Sequence, residues 1–176
     1  MAQGLGHIIT ELEQILRFIN FYTSRIALIL SESRKVAVII IHPMRSVLAL
    51  SGSASPDSAN VRLLRCVAVE FSHQFDFDVM DGLWHLPLYT PQREEAGIPE
   101  EVQSFRARVE KADAVMIATP EYLHNIPAVL KNALEWLTTS GQMADKPVLA
   151  ITFTPRAPRG EHAMRSLCIS LLASKA

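Results

Sequence analysis

From Val47 onward, short apolar runs alternate with stretches whose apolar residues recur at helical spacing, and that alternation is the signature of an open parallel sheet covered by helices. Residues 47–50 predict a first strand. Turn formers and helix caps follow from Gly52 to Asn60, and then a helix over 61–71. Residues 75–80 alternate apolar and acidic positions and predict a second strand, which leads into the loop Leu86-Pro87-Leu88-Tyr89-Thr90-Pro91. A charged amphipathic helix is predicted over 100–112, a third strand over 114–118, a helix over 126–137, a fourth strand over 148–153 and a final helix over 161–172. Four strand-helix units make an α/β domain with helices on both faces of a parallel sheet.

The first 43 residues depart from this rhythm. Residues 8–19 read as an amphipathic helix, and 25–41 as two apolar strands around Ser31-Glu32-Ser33-Arg34-Lys35. The organisation expected is therefore an N-terminal extension over 1–43 and one domain over 44–176, with Met44 as an alternative start of the domain.

Composition narrows the function classes. At 176 residues, 49% hydrophobic and 20% charged, the chain has the makings of one globular domain and not of a disordered segment. Its 17 Lys and Arg stand against 18 Asp and Glu, so no basic excess supports nucleic-acid binding. The longest apolar runs, 26–30 and 36–41, fall far short of the ~18 residues that cross a bilayer. No signal-peptide pattern stands at the N-terminus, and the two cysteines, Cys66 and Cys168, are too few for a disulfide framework. The expectation is a cytoplasmic chain without membrane or nucleic-acid partners, its thiols reduced and placed in the core or at an interface. The six histidines lack metal-ligand spacing, so no metal is expected.

Ligands of such sheets sit beyond the carboxyl ends of the strands. The loop after strand one, Gly52-Ser53-Ala54-Ser55-Pro56-Asp57-Ser58-Ala59-Asn60, offers three hydroxyls and an amide at a helix start, where free N–H groups and the helix dipole favour phosphate. It is neither a Walker A loop nor a Gly-x-Gly-x-x-Gly turn. The alternative is that Ser58 merely caps the helix.

The loop after strand three runs Thr119-Pro120-Glu121-Tyr122-Leu123-His124-Asn125-Ile126-Pro127, and the helix after it carries Leu130-Lys131-Asn132-Ala133-Leu134-Glu135-Trp136. This stretch resembles the NADPH-dependent FMN reductase family, a flavodoxin-like group with Pro-Glu-Tyr, a short variable stretch and Ile-Pro-x-x-Leu-Lys-Asn-Ala-Asp/Glu-Trp. The family's phosphate loop, Gly-Ser-x-Arg-x-x-Ser-x-Asn, falls on Gly52, Ser53, Ser55, Ser58 and Asn60, with Ser55 where arginine is common. That departure removes one charge-assisted phosphate contact. Thr154-Pro155-Arg156-Ala157-Pro158-Arg159-Gly160 resembles the turn that faces the flavin edge, and Leu86 to Pro91 a recurring Leu-Pro loop. The resemblance covers 44–176.

It implies a flavodoxin-like sheet of order 2-1-3-4-5, of which the fifth strand is missing here, so that the run 36–41 is a candidate to cover the vacant edge. It also implies an enzyme that binds FMN, takes hydride from NADPH or NADH and reduces a small acceptor such as a flavin, a quinone, an azo compound or a metal oxyanion. The implied cofactor residues are Ser53, Ser55, Ser58, Ala59 and Asn60 for the phosphate, Pro120, Glu121, Tyr122, Leu123, His124 and Asn125 for the ring edge, and Thr154 and Pro155 for its far side. No protein side chain is required as acid or base, and none is assigned as catalytic. Trp136 reads as packing, and the apolar helix over 126–137, with Leu134, Trp136 and Leu137, as a feeder of a homodimer or homotetramer. Two other readings stay open: an electron carrier without NAD(P)H turnover, and a truncated inactive fragment.

Overall fold

The computed structural model describes residues 45–154 and 159–174. The expected extension, its strand at 36–41, and Pro155 and Arg156 of the third loop lie outside the described residues.

Four strands form one parallel sheet: β1 (Arg45–Ser51), β2 (Phe75–Met80), β3 (Ala114–Thr119) and β4 (Val148–Thr152), in the order β2-β1-β3-β4. The central register sets Leu48 beside Asp78 on one side and Val115 on the other. All four expected strands are present within a residue or two at each end. Among the described residues no strand lies beyond β4, which is half-buried at every position, whereas every residue of β3 is buried.

The helices follow from caps as much as from apolar spacing. Helix α1 (Ala59–Glu70) starts at Ser58, whose hydroxyl accepts from the Val61 N–H. The short α2 (Pro91–Glu95) has Thr90 as its cap and proline in its first turn. Helix α3 (Glu100–Lys111) opens on Glu100 and Glu101 and closes on Arg108 and Lys111, charges that suit the helix dipole at each end. Helix α4 (Ala128–Leu137) follows Pro127, and α5 (Glu161–Ala173) follows Gly160. Sequence periodicity missed α2 and the 3-10 turn Leu83–His85, both too short to show a repeat.

Chain direction decides which face each helix covers. The crossover from β1 to β2 runs one way along the sheet and those from β2 to β3 and from β3 to β4 the other, so right-handed connections put α1 on one face and α3 and α4 on the opposite one. Side chains of β1 and β3 alternate accordingly. Leu48, Leu50, Val115 and Ile117 join Phe105, Leu130, Trp136 and Leu167 in one core cluster on the α3–α5 face. Leu134, Trp136 and Leu137 are buried within this chain. Trp136 is core packing, and the expectation that these three carry more apolar surface than one chain covers is corrected, because the 83–89 segment and α3 already cover them. Cys66 and Cys168 are exposed, so the core alternative of the expectation fails: each lies one position from the buried stripe of its helix.

Candidate functional site

The strand order reverses between β1 and β3, and at that switch point the backbones separate into a crevice at their carboxyl ends. Three loops meet there. Gly52 opens the first, its N–H bonded to Ala118 O at 2.8 Å. A Cβ on Gly52 would stand 2.7 Å from Thr119 Oγ1 and 2.8 Å from Leu130 Cδ2, so only glycine lets the loop pass so close to β3. Beyond it the hydroxyls organise the chain: Ser53 N donates to Ser51 Oγ, and Ser55 N to Ser53 Oγ at 3.2 Å. Ser53 is buried and Ser55 exposed, while Ser58 caps α1. Asp57, at φ +50°, pairs with Arg62 and Arg65, which neutralises its carboxylate beside the helix start. Intrahelical geometry leaves the first-turn N–H groups of Ala59 and Asn60 without an i−4 partner inside the helix.

Asn60 joins this loop to the third. Its side chain is buried, Nδ2 donates to Phe153 O at 3.4 Å, and Oδ1 has no partner. An orphaned buried amide oxygen costs about 1–3 kcal/mol unless something donates to it.

The second loop is bent back on itself. Tyr122 N donates to Asn125 O and Asn125 N to Tyr122 O, both at 2.9 Å, around two left-handed residues, Leu123 at φ +50° and His124 at φ +57°. This is the backbone of a tight primed turn, which normally takes asparagine and glycine. A leucine there is strained, and it is 99% exposed. Among the described residues the N–H groups of Glu121, Leu123 and His124 have no protein acceptor. Asn125 Oδ1 accepts from Ile126 N at 2.8 Å and Ser166 Oγ at 2.6 Å, fixing the turn to α5.

Glu121 turns inward. With 4% of its side chain exposed, its Oε2 accepts from Gly160 N at 3.0 Å and Ala163 N at 3.1 Å, so it caps α5 from another loop. Burial raises its pKa, but these two donors and the nearby His162 and His124 together outweigh it and hold the carboxyl below its ordinary value. Gly160 is required at φ +117°, where a Cβ would also meet Thr152 Oγ1 at 2.8 Å. Thr154 Oγ1 donates to Arg159 O at 3.0 Å, and Phe153 N to Thr119 O at 3.0 Å. Loops one, two and three are thus tied together through Asn60, Glu121 and Thr119.

The second half of the loop-and-helix motif is structural. Asn132 accepts from Tyr89 N and donates to Leu86 O and Pro87 O, while the fully buried Trp136 donates from Nε1 to Pro87 O at 2.7 Å. Tyr89 meets Trp136 edge-on with centroids 5.0 Å apart, and its hydroxyl reaches Glu94, which Arg106 also holds at 2.6 Å. These side chains anchor the Leu-Pro loop on α4, a role that their spacing from residue 86 does not reveal. Among the described residues no group of three or more His, Cys, Asp or Glu can hold a metal, and no helix is long and apolar enough to cross a membrane.

The family model described as NADPH-dependent FMN reductase matches residues 45–176. The chain is 41% identical over 105 residues to the NADH:(hydroxy)cinnamate reductase subunit CrdA of Vibrio ruber, covering 59% of this chain and 51% of that protein. It is 32% identical over 109 residues to the quinone reductase of Escherichia coli K12, 60% of this chain and 58% of the relative. It thus spans about half the length of these curated relatives. Among solved structures, FerB from Paracoccus denitrificans, a flavoenzyme NAD(P)H:(acceptor) oxidoreductase, aligns with a TM-score of 0.68 and 28% identity over 74% of this chain and 72% of that one.

Proposed function

The chain belongs to the NADPH-dependent FMN reductase family, and on that premise we propose that it is an FMN-dependent oxidoreductase, oxidising NADPH or NADH and reducing a small acceptor of the flavin, quinone, azo or metal-oxyanion class. The observation that carries the reading is the switch-point crevice itself. There a serine-rich helix start stands beside the buried Asn60 Oδ1, an acceptor that lacks a donor. FMN carries groups for both. Its phosphate suits the first-turn N–H groups of Ala59 and Asn60 and the hydroxyls of Ser53, Ser55 and Ser58. A ribityl hydroxyl would supply the donor that Asn60 Oδ1 lacks. The ring edge would take the open N–H groups of Glu121, Leu123 and His124, with Pro120, Tyr122 and Asn125 shaping that wall and Thr154 and Pro155 the far side.

Bound FMN supplies the redox chemistry; the protein binds, orients and covers. Glu121 acts in this reading through its cap on α5, setting the second loop against the third. The similar proteins named a quinone reductase and an NAD(P)H:(acceptor) oxidoreductase support the acceptor class and the nucleotide donor. A cytoplasmic location and a homodimer or homotetramer belong to the same proposal, supported by two exposed free thiols and by exposed Leu172 on α5, the helix that packs on the half-buried strand β4. An electron carrier without nucleotide turnover is the second reading. Ser55 favours it, since among the described residues no guanidinium stands in the cradle and Arg62 and Arg65 are engaged by Asp57.

Fluorescence titration tests the cradle. FMN should bind at least about tenfold more tightly than riboflavin, and replacing Ser58 and Asn60 together by alanine should cost about 1 kcal/mol of FMN affinity per hydrogen bond lost. Equal affinity for the two flavins removes the phosphate site.

A further inference from the structure

A phosphate is held by positive charge or by well-aimed neutral donors, and a carboxylate beside it works against both. Residues 52–60 of the first loop carry a single charged side chain, Asp57, and its sign is the wrong one for an anion. It stands one residue before Ser58, the cap of α1, next to the first-turn N–H groups of Ala59 and Asn60. The same helix start holds the side chain of Asn60, 3% exposed and with Oδ1 lacking a donor, so this end of α1 has more to satisfy than its own backbone.

Two arginines of α1 answer that carboxylate, but not equally. Arg65 is divided, with Nη1 3.5 Å from Asp57 and Nη2 3.4 Å from Asp81. Arg62 is committed to residue 57: its Nη1 donates to Asp57 O at 2.5 Å and lies 3.5 Å from Oδ2. Side chains of a helix lean toward its N-terminus, which lets residue 62 reach back past the cap. The carbonyl bond fixes the guanidinium against the left-handed residue of the loop, Asp57 at φ +50°. With both arginines in place, two guanidinium charges meet two carboxylates and the cluster cancels. Without Arg62, Arg65 alone would face Asp57 and Asp81, leaving one negative charge beside the cradle. All four side chains are exposed, so these pairs add little to the stability of the fold. A phosphate dianion placed next to them is a more sensitive reader of that charge than the fold is.

On the flavin reading above, we propose that Arg62 is a positioning residue of the phosphate cradle. It neutralises Asp57, so that the flavin phosphate enters a site where the hydroxyls of Ser53, Ser55 and Ser58 and the helix N–H groups suffice as donors. It supplies from α1, without touching the phosphate, part of the electrostatic balance lost where Ser55 stands in place of arginine.

Fluorescence titration of the flavin-free full chain with FMN and with riboflavin, its phosphate-free counterpart, tests this at low ionic strength and about pH 8, where the phosphate is a dianion. Arg62→Gln should weaken FMN about fivefold, the effect of one uncompensated charge on a dianion across a solvated site, and leave riboflavin unchanged. Arg62→Lys, which keeps the charge, should retain most of the FMN affinity. Asp57→Asn introduced into the Arg62→Gln protein should bring FMN affinity back to within about twofold of the parent, a rescue that a merely structural role for Arg62 would not allow. Added salt should shrink the difference between parent and Arg62→Gln. An unchanged FMN affinity in Arg62→Gln, an equal loss for riboflavin, or no rescue by Asp57→Asn each overturns the proposal. A parent protein that does not prefer FMN to riboflavin overturns the phosphate site and this role together, whereas a parent that prefers FMN while Arg62→Gln keeps the whole preference overturns the role of Arg62 alone.

Discussion

Glu121 is the residue on which the geometry of the crevice turns. Its carboxylate is buried, tied to two backbone donors of α5, and held below the ordinary glutamate pKa because those bonds and two histidines outweigh the burial that would raise it. A carboxyl whose folded pKa is depressed contributes stability above its unfolded value and loses it as pH falls through the folded one. Acid unfolding should therefore include a component at and below the ordinary glutamate range that Glu121→Gln removes. The variant keeps a neutral acceptor but loses the charge, so it should be less stable at neutral pH and differ less from the parent in acid, as read by melting temperature across pH. A constant difference at every pH would contradict the assignment. From the sequence, Glu121 belonged to a recognisable Pro-Glu-Tyr motif and was read as a cofactor residue. Its partners, Gly160 and Ala163, lie 39 and 42 positions away, a separation to which no local pattern points.

At the scale of elements, the Leu123-His124 turn joins two left-handed residues where asparagine and glycine are the ordinary choice. Leu123→Gly should raise stability by about 1 kcal/mol by relieving the strained φ. It should also weaken ligands that touch this turn, because a fully exposed apolar side chain is removed. Chemical denaturation and flavin titration of the same variant separate the two effects, and a loss of stability would show that the leucine is held by contacts its exposure does not reveal. The strands were legible because a parallel sheet buried on both faces writes continuous apolar runs, as Leu48 to Leu50 and Ala114 to Ala118 do. The anchoring of residues 86–89 by Asn132 and Trp136 was not legible. Periodicity marks Trp136 as buried but cannot say that its indole N–H holds Pro87, 49 positions away.

For the whole molecule, the described sheet has the first four strands of a flavodoxin-like order, and β4 pairs on one side only among the described residues. Unpaired edges invite association and are normally covered, so the expectation that residues 34–42 pair with the sheet or with a neighbouring subunit has a direct consequence. A chain starting at Met44 should lose solubility and melting temperature together. One that keeps both and still binds FMN would make the extension dispensable. The order of the four strands was legible through the family resemblance, which implies 2-1-3-4-5, and the observed β2-β1-β3-β4 agrees with it. What lies beside β4 did not follow, since a β-branched run such as 36–41 suits an edge of its own domain or of a second copy equally well. The central claim, that the crevice holds FMN and passes electrons from NAD(P)H, is tested most directly by the absorbance spectrum of the protein as isolated, followed by anaerobic addition of NADPH or NADH. The account predicts a yellow protein whose flavin absorbance bleaches with one of the nucleotides and returns when a quinone is added; protein that stays colourless after incubation with FMN, or yellow protein that only dithionite bleaches, would contradict it.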